Sequence, residues 1–529
     1  MPGRTGAFVL VLLAVAGLSG GVASQHTPQA SQPALQESKD WKRLTTRSLV
    51  VVGNARPEEL RRAGREIERF RESLRMLSPG LLLDSPVPTH VVVFRNDKAM
   101  RQFKPRMLGR ILDAVAAYFG PHPDVNYIVM SASGPSEFRH RVIYHEYTHF
   151  IVSRNVKRLP VWLNEGLADF YGTFAAYEDG RAVIGRPIPQ YVLLLVAGAS
   201  PPLEWVIDPQ NMSRAARDRH RTTSFYAHAW ALTHYLMLGE GGTLRPLLSR
   251  YVALLQTGRP FAAAFHEVFG DLEKLQRAMR QHITQPQLPA LAVPDVAVES
   301  DLPVVPMLEL DALRLQGDLL VRVNELDDGD KLIARVLERD PQHVPARLSR
   351  ARSLIARGQP AGAVDVLSAP DLATLPVFGV QLLRGDAFRL QERYDEAIAA
   401  YRRASELQPD SPWPFYGISL AQTALKDPGA TANFARCLAL HPNPEWYGQR
   451  LFDLLSLGVD TYAVTDATNY VRTGGWQGNK TAWVLINAAI TLLRRPEHRS
   501  EALEMLAEVD RQIDPDSWPA RVSAFLQGG

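Results

Sequence analysis

Apolar positions follow two different rhythms along this chain. In the first half, short apolar runs alternate with longer amphipathic stretches. Ser48-Leu-Val-Val-Val52 is a continuous apolar run of strand length, the pattern of a buried strand. A charged stretch with helical spacing follows from Pro57 to Leu77, its proline suited to a first turn. Val87 to Phe94 reads as a second strand and Tyr127 to Met130 as a third, which leads through Gly134-Pro135 into a helix starting near Ser136. Strand, helix, strand, and a strand feeding a helix describe an α+β domain, expected over 45–285. Before it, residues 25–44 are rich in Gln, Ser and Pro and are expected to form a disordered leader. After it, prolines and small apolar residues over 286–306 predict a linker.

The second half has a longer period. Gly317, Ala351, Gly385 and Ser419 follow one another at 34-residue intervals, and Pro341 and Pro409 stand at twice that distance. In the best unit, Phe378 to Ser411, small or bulky landmarks Gly385, Ala397, Tyr401, Ala404 and Pro409 occupy unit positions 8, 20, 24, 27 and 32. Small residues at 8, 20 and 27 let two helices approach, and the proline ends the second helix. This pattern resembles the tetratricopeptide repeat, whose helix-turn-helix unit has the same period. Three or four repeats are expected over 307–445, with an all-α solenoid as the fold. Neighbouring units are degenerate, with Gly329 at position 20 of the first and Leu375 in place of the last proline of the second. The remainder, 446–529, reads as helical and is compatible with decayed repeats.

Composition changes this picture little. At 529 residues, 46% hydrophobic and 22% charged, the chain is globular in character and long enough for two or three domains. The formal net charge of +3 is spread in interleaved signs, so no nucleic-acid footprint is visible. The N-terminus adds more. Arg4, an apolar run from Ala7 to Leu18 and small residues to Ser24 have the form of a secretory signal peptide over 1–24. That predicts export to the periplasm or extracellular space, and no later segment reads as transmembrane. The single cysteine, Cys437, cannot form an intramolecular disulfide and falls at an apolar helical position.

The candidate chemistry lies at His145-Glu-Tyr-Thr-His149. Residues four apart share one face of a helix, so both imidazoles can reach one ion, and Glu146 can address a water there. No Pro or Gly interrupts Phe138 to Ser153, and Ile143, Tyr147, Phe150 and Ile151 supply an apolar face. Two histidines leave a catalytic zinc one protein ligand short. Fifteen residues separate His149 from Glu165, which lies in Trp162-Leu-Asn-Glu165-Gly-Leu-Ala-Asp169, where Glu165 and Asp169 are again four apart. Glu165 is a candidate third ligand, and Asp169 is placed to accept a hydrogen bond from a ligand histidine.

His-Glu-x-x-His followed by Asn-Glu-x-x-x-Asp resembles the gluzincin group of metallopeptidases, in its peptidase MA-like branch. The resemblance implies a zincin-like α+β fold, a Zn2+ ion on His145, His149 and Glu165, Glu146 as general base, and Asp169 as partner of His145. It also favours a tyrosine as oxyanion donor; Tyr226 is the first candidate and His228 the second. The segment Tyr127 to Ala132 is expected as the edge strand that pairs with an extended substrate.

These readings predict an exported zinc peptidase whose repeats recruit substrate or partner proteins. The competing expectation is a catalytically inactive adaptor that binds proteins through the same repeats.

Overall fold

A computed structural model describes residues 37–440 and 482–528, apart from single positions and short stretches within both, the longest of them 208–218. The expected signal peptide over 1–24 lies outside the described residues, as does most of the expected leader. Among the described residues, no helix is long and apolar enough to cross a membrane.

The N-terminal half is built on a six-stranded sheet. Its strands are β1 (Glu37–Thr45), β2 (Val50–Gly53), β3 (Thr89–Phe94), β4 (Ala117–Pro121), β5 (Asn126–Ser131) and β6 (Val305–Leu308), in the order β6-β1-β2-β3-β5-β4. β2, β3 and β5 run parallel, in register Val51↔Val91↔Ile128. The other three strands pair antiparallel to their neighbours.

Alternate side chains of these strands enter two different cores. Val51, Val91, Val93, Ile128 and Met130 pack against helix α1 (Pro57–Leu77) and helix α2 (Ser136–Asn155). Val52, Val92, Phe94, Tyr127 and Val129 pack beneath a helix of the C-terminal half. A sheet covered on both faces needs apolar residues at every position, which is why its central strands read as unbroken apolar runs. On α1, Leu60, Ala63, Ile67, Phe70 and Leu74 form the buried stripe at helical spacing.

Two boundaries differ from expectation. The last residues of the predicted disordered leader form β1, where Trp41 and Leu44 are buried. Within the predicted linker, Leu291–Val293 pairs with Ala182–Ile184, and β6 pairs with β1. Neither segment carries a strong strand pattern of its own; each is recruited by an open sheet edge whose N–H and C=O groups need partners.

A second core surrounds α3 (Val161–Gly172), α4 (Pro189–Ala197) and α5 (Arg219–Leu238), with the short helix Leu203–Ile207 and three further helices between Arg245 and Ile283. In α5, Phe225, Ala227, Ala229, Trp230, Ala231, Leu232 and Leu236 are all buried, so the helix is enclosed on every side.

The C-terminal half contains helix pairs α6 (Glu309–Arg322) and α7 (Leu326–Arg339), α8 (Val344–Ala356) and α9 (Pro360–Leu367), α10 (Phe378–Arg389) and α11 (Tyr394–Leu407), and α12 (Pro412–Ala424) and α13 (Ala430–Leu440). Gly329, a departure from the repeat pattern, meets Gly317 at the crossing of α6 and α7; a Cβ on it would sit 3.0 Å from the Gly317 carbonyl oxygen. Leu375, which replaces a proline, follows an extra helical turn at Pro370–Ala373. Cys437 is a free, buried thiol on α13.

Candidate metal centre

Three helices bring the candidate residues together. α2 carries His145 and His149 on one face, one turn apart. Its opposite side is anchored in the first core by Tyr144 and Tyr147, both fully covered. α3 packs along α2 and presents Glu165 and Asp169, while α5 lies across the far side of α3. Gly166 permits that second approach, because a Cβ there would meet the Ala229 carbonyl oxygen and Thr233 Oγ1.

His145 Nε2 and His149 Nε2 lie 3.1 Å apart, and Glu165 Oε2 lies 3.5 Å from each. Among the described residues these three form a group able to hold a metal ion, all largely buried. The spacing can be tested against zinc. Tetrahedral bonds of about 2.0–2.1 Å place ligand atoms about 3.3–3.4 Å apart, which these donors match to a few tenths of an ångström. Glu165 Oε2 is buried without a hydrogen-bond partner among the described residues, as an acceptor awaiting a cation would be. The residues fit the ion.

The surrounding groups orient these side chains. His145 Nδ1 faces Asp169 Oδ1 at 3.2 Å, so the carboxylate favours an Nδ1–H tautomer, which leaves a lone pair on Nε2. Asp169 Oδ2 accepts from the Tyr191 hydroxyl at 3.0 Å, and Arg141 reaches Oδ1 at 3.4 Å. Sequence reasoning missed Tyr191 and Arg141. Arg141 stands four residues before His145, which places it on the same helical face; Tyr191 on α4 has no comparable spacing signal.

Electrostatics agree with this geometry. Burial opposes a charged imidazole at His145, but the Asp169 and Glu165 carboxylates beside it outweigh that and hold the ring up at about 10. Burial likewise opposes ionisation of Glu165, yet His149 and His145 hold the carboxyl down at about 2. A divalent cation bound at this point would take the place of protons on these groups. Burial pushes the Glu146 carboxyl upward, against His145 and His149, which pull it down.

The remaining candidates separate. Tyr226 is buried on α5, and its hydroxyl has no hydrogen-bond partner among the described residues. Burial raises its pKa, and the charges that add to the rise are Glu165, Asp169, Tyr191 and Glu146, all from the metal cluster. His228 faces elsewhere: its Nδ1 lies 2.8 Å from the Ser224 carbonyl oxygen, and the charge acting on it is Arg280. Two positions on a helix differ by about 200°, so only one of the pair can address the site.

Tyr127 and Ala132 do not belong to an edge strand. β5 is paired on both sides, by β3 and β4, and the Tyr127 hydroxyl donates to Asp318 in the C-terminal half. The edge on this side of the sheet is β4, a strand that sequence patterning did not reveal because Gly120 and Pro121 interrupt its apolar run.

Comparisons with known proteins bear on the C-terminal half. Residues 314–371 match the family described as tetratricopeptide repeat, and 385–425 match one described as TPR repeat. No curated protein matches the chain. Among solved structures, one from a functional characterisation of Pseudomonas aeruginosa pilF is 20% identical, covering 42% of this chain and 97% of its own, with a TM-score of 0.33. A thermophilic TPR protein of Thermus thermophilus is 19% identical, covering 35% of this chain and 99% of its own, with a TM-score of 0.29. YrrB, a TPR protein with an unusual peptide-binding site, is 18% identical, covering 37% and 98%, with a TM-score of 0.30. From the repeat matches and the helix pairs they fall on, the C-terminal half carries tetratricopeptide repeats.

Proposed function

We propose that this protein is an exported zinc-dependent peptidase whose repeats bind substrate or partner proteins. The observation that carries the reading is the convergence of His145, His149 and Glu165 on one point at ligand spacing, with Asp169 behind His145. When bound there, zinc supplies Lewis-acid polarisation of a carbonyl and acidifies a water.

The chain's own residues do the rest. Glu146 accepts a proton from the attacking water and passes it to the leaving amine, a role suited by the upward push of burial on its carboxyl. Tyr226, buried and unpartnered beside the cluster, donates its hydroxyl to the developing oxyanion. The outer side of β4 offers unpaired backbone to an extended peptide, in place of the edge expected at Tyr127 to Ala132.

Protein binding is the second function, and the repeats support it whether or not the first half cleaves peptides. The two readings part in one experiment. Purified protein is assayed for zinc by mass spectrometry and for casein cleavage, alongside Glu146→Gln. A peptidase binds one zinc per chain in both forms and loses cleavage in the variant. Equal cleavage by both forms removes Glu146 from the reaction; zinc binding without cleavage by either leaves the adaptor.

A further inference from the structure

The first helices of successive repeats, α6, α8, α10 and α12, touch one another in a row, and each second helix packs against the first helix that follows it. A stack of hairpins curves toward the helices that lie closest together, so this row lines its inner face. Inner faces of such arrays are the surfaces on which proteins are bound.

In the first two repeats that surface is already filled. Asp318 and Arg322 on α6 and Ser349 and Arg352 on α8 are each less than 10% exposed. What covers them is the turn between β4 and β5. Arg322 donates to Asp124 Oδ2 at 2.7 Å, and Arg352 reaches the same oxygen at 3.4 Å. The Tyr127 hydroxyl donates to Asp318 Oδ2 at 3.0 Å, which also accepts from Arg322 Nε at 2.7 Å. Ser349 and Arg352 complete the shell on Asp318 Oδ1. Two arginines from consecutive repeats thus converge on one carboxylate of the N-terminal half. Removing one partner from so buried a cluster strands the others in low dielectric.

The gripped turn has a neighbour of consequence. β4 lies against α2, where the Phe119 ring contacts those of Tyr147 and Phe150, the residues between and beside the two histidines of the motif. Array, hairpin and α2 therefore form one line of contact.

We propose that the inner face of the first two repeats is a docking surface for the chain's own N-terminal half, holding the β4–β5 hairpin and bracing the edge strand against α2. Outside proteins then meet the array at its third and fourth repeats. The inference stands without the zinc reading, since no ligand residue takes part in it.

Hydrogen exchange on the full chain tests it, comparing wild type with Asp124→Ala and Tyr127→Phe. Asp124→Ala should speed exchange over 117–131 and 309–322 by about a hundredfold while 394–424 keep their protection. Tyr127→Phe should give a smaller change in the same segments, and it decides the matter should Asp124→Ala not fold. Wild-type protection over 117–131 in the folded variants overturns the proposal. So does an even loss across the chain, which would mean general destabilisation and no local brace.

Discussion

Asp169 serves different partners with its two oxygens. Oδ1 faces His145 and Oδ2 accepts from Tyr191, so the hydroxyl sets the plane in which the carboxylate meets the imidazole. Groups that orient a metal ligand typically contribute 10- to 100-fold in affinity. Tyr191→Phe is expected to weaken zinc binding by about tenfold, measured by competition with a chromophoric chelator. The melting temperature of the metal-free protein should stay near that of wild type, because only one hydrogen bond is lost. Unchanged zinc affinity would show that Asp169 is held by Arg141 and packing alone. At this scale the pairing of His145 with His149 and of Glu165 with Asp169 was legible, since a four-residue interval on a helix is a local property. Tyr191 was not, because it reaches Asp169 only after α4 packs against α5.

Between elements, contact distance decides. Gly166 lets α5 lie against α3, and a Cβ there would fall 2.5 Å from the Ala229 carbonyl oxygen. Gly166→Ala should therefore destabilise the protein by about 1–3 kcal/mol, read as a lower urea midpoint. His234 links the same helix to its surroundings: its Nε2 donates to the Gly185 carbonyl at 2.9 Å, and its Nδ1 meets His282 Nε2 at 2.9 Å. Burial, followed by the neighbouring His282, lowers its pKa to about 4. The unfolded imidazole, near 6.5, takes up its proton first as pH falls. Stability from the neutral ring is thus complete above about pH 6.5 and is lost as pH drops toward 4, on the order of 3 kcal/mol in all. Urea midpoints between pH 7 and pH 5 should fall less steeply in His234→Gln than in wild type. Parallel slopes would remove His234 from the pH response.

For the whole molecule, the decisive fact is that one sheet supports both halves. β6 closes the sheet beside β1, and Ala312, Leu315, Leu319 and Leu320 of α6 cover the face formed by Val52, Val92, Phe94 and Val129. A chain cut after residue 303, inside the linker that proline content marks, would lose that cover. It should give a non-cooperative thermal transition and aggregate, checked by near-ultraviolet circular dichroism and sedimentation. A monomeric, cooperatively melting fragment would show that the N-terminal half folds without the array.

The chain by itself determined whatever depends on near neighbours. Helical spacing put His145 beside His149 and Glu165 beside Asp169, the 34-residue period announced the helix hairpins, and apolar runs marked the parallel strands. Only the tertiary structure decided what depends on distant partners. Which strand forms the edge, whether a Gln- and Ser-rich leader becomes β1, and which of Tyr226 and His228 faces the cluster are settled by pairing and packing across long stretches of chain. The same holds for the array: its period was written in the sequence, but the buried carboxylate between Arg322 and Arg352 comes from residue 124. Local periodicity carries no information about such a pairing, because it is made by the meeting of two surfaces.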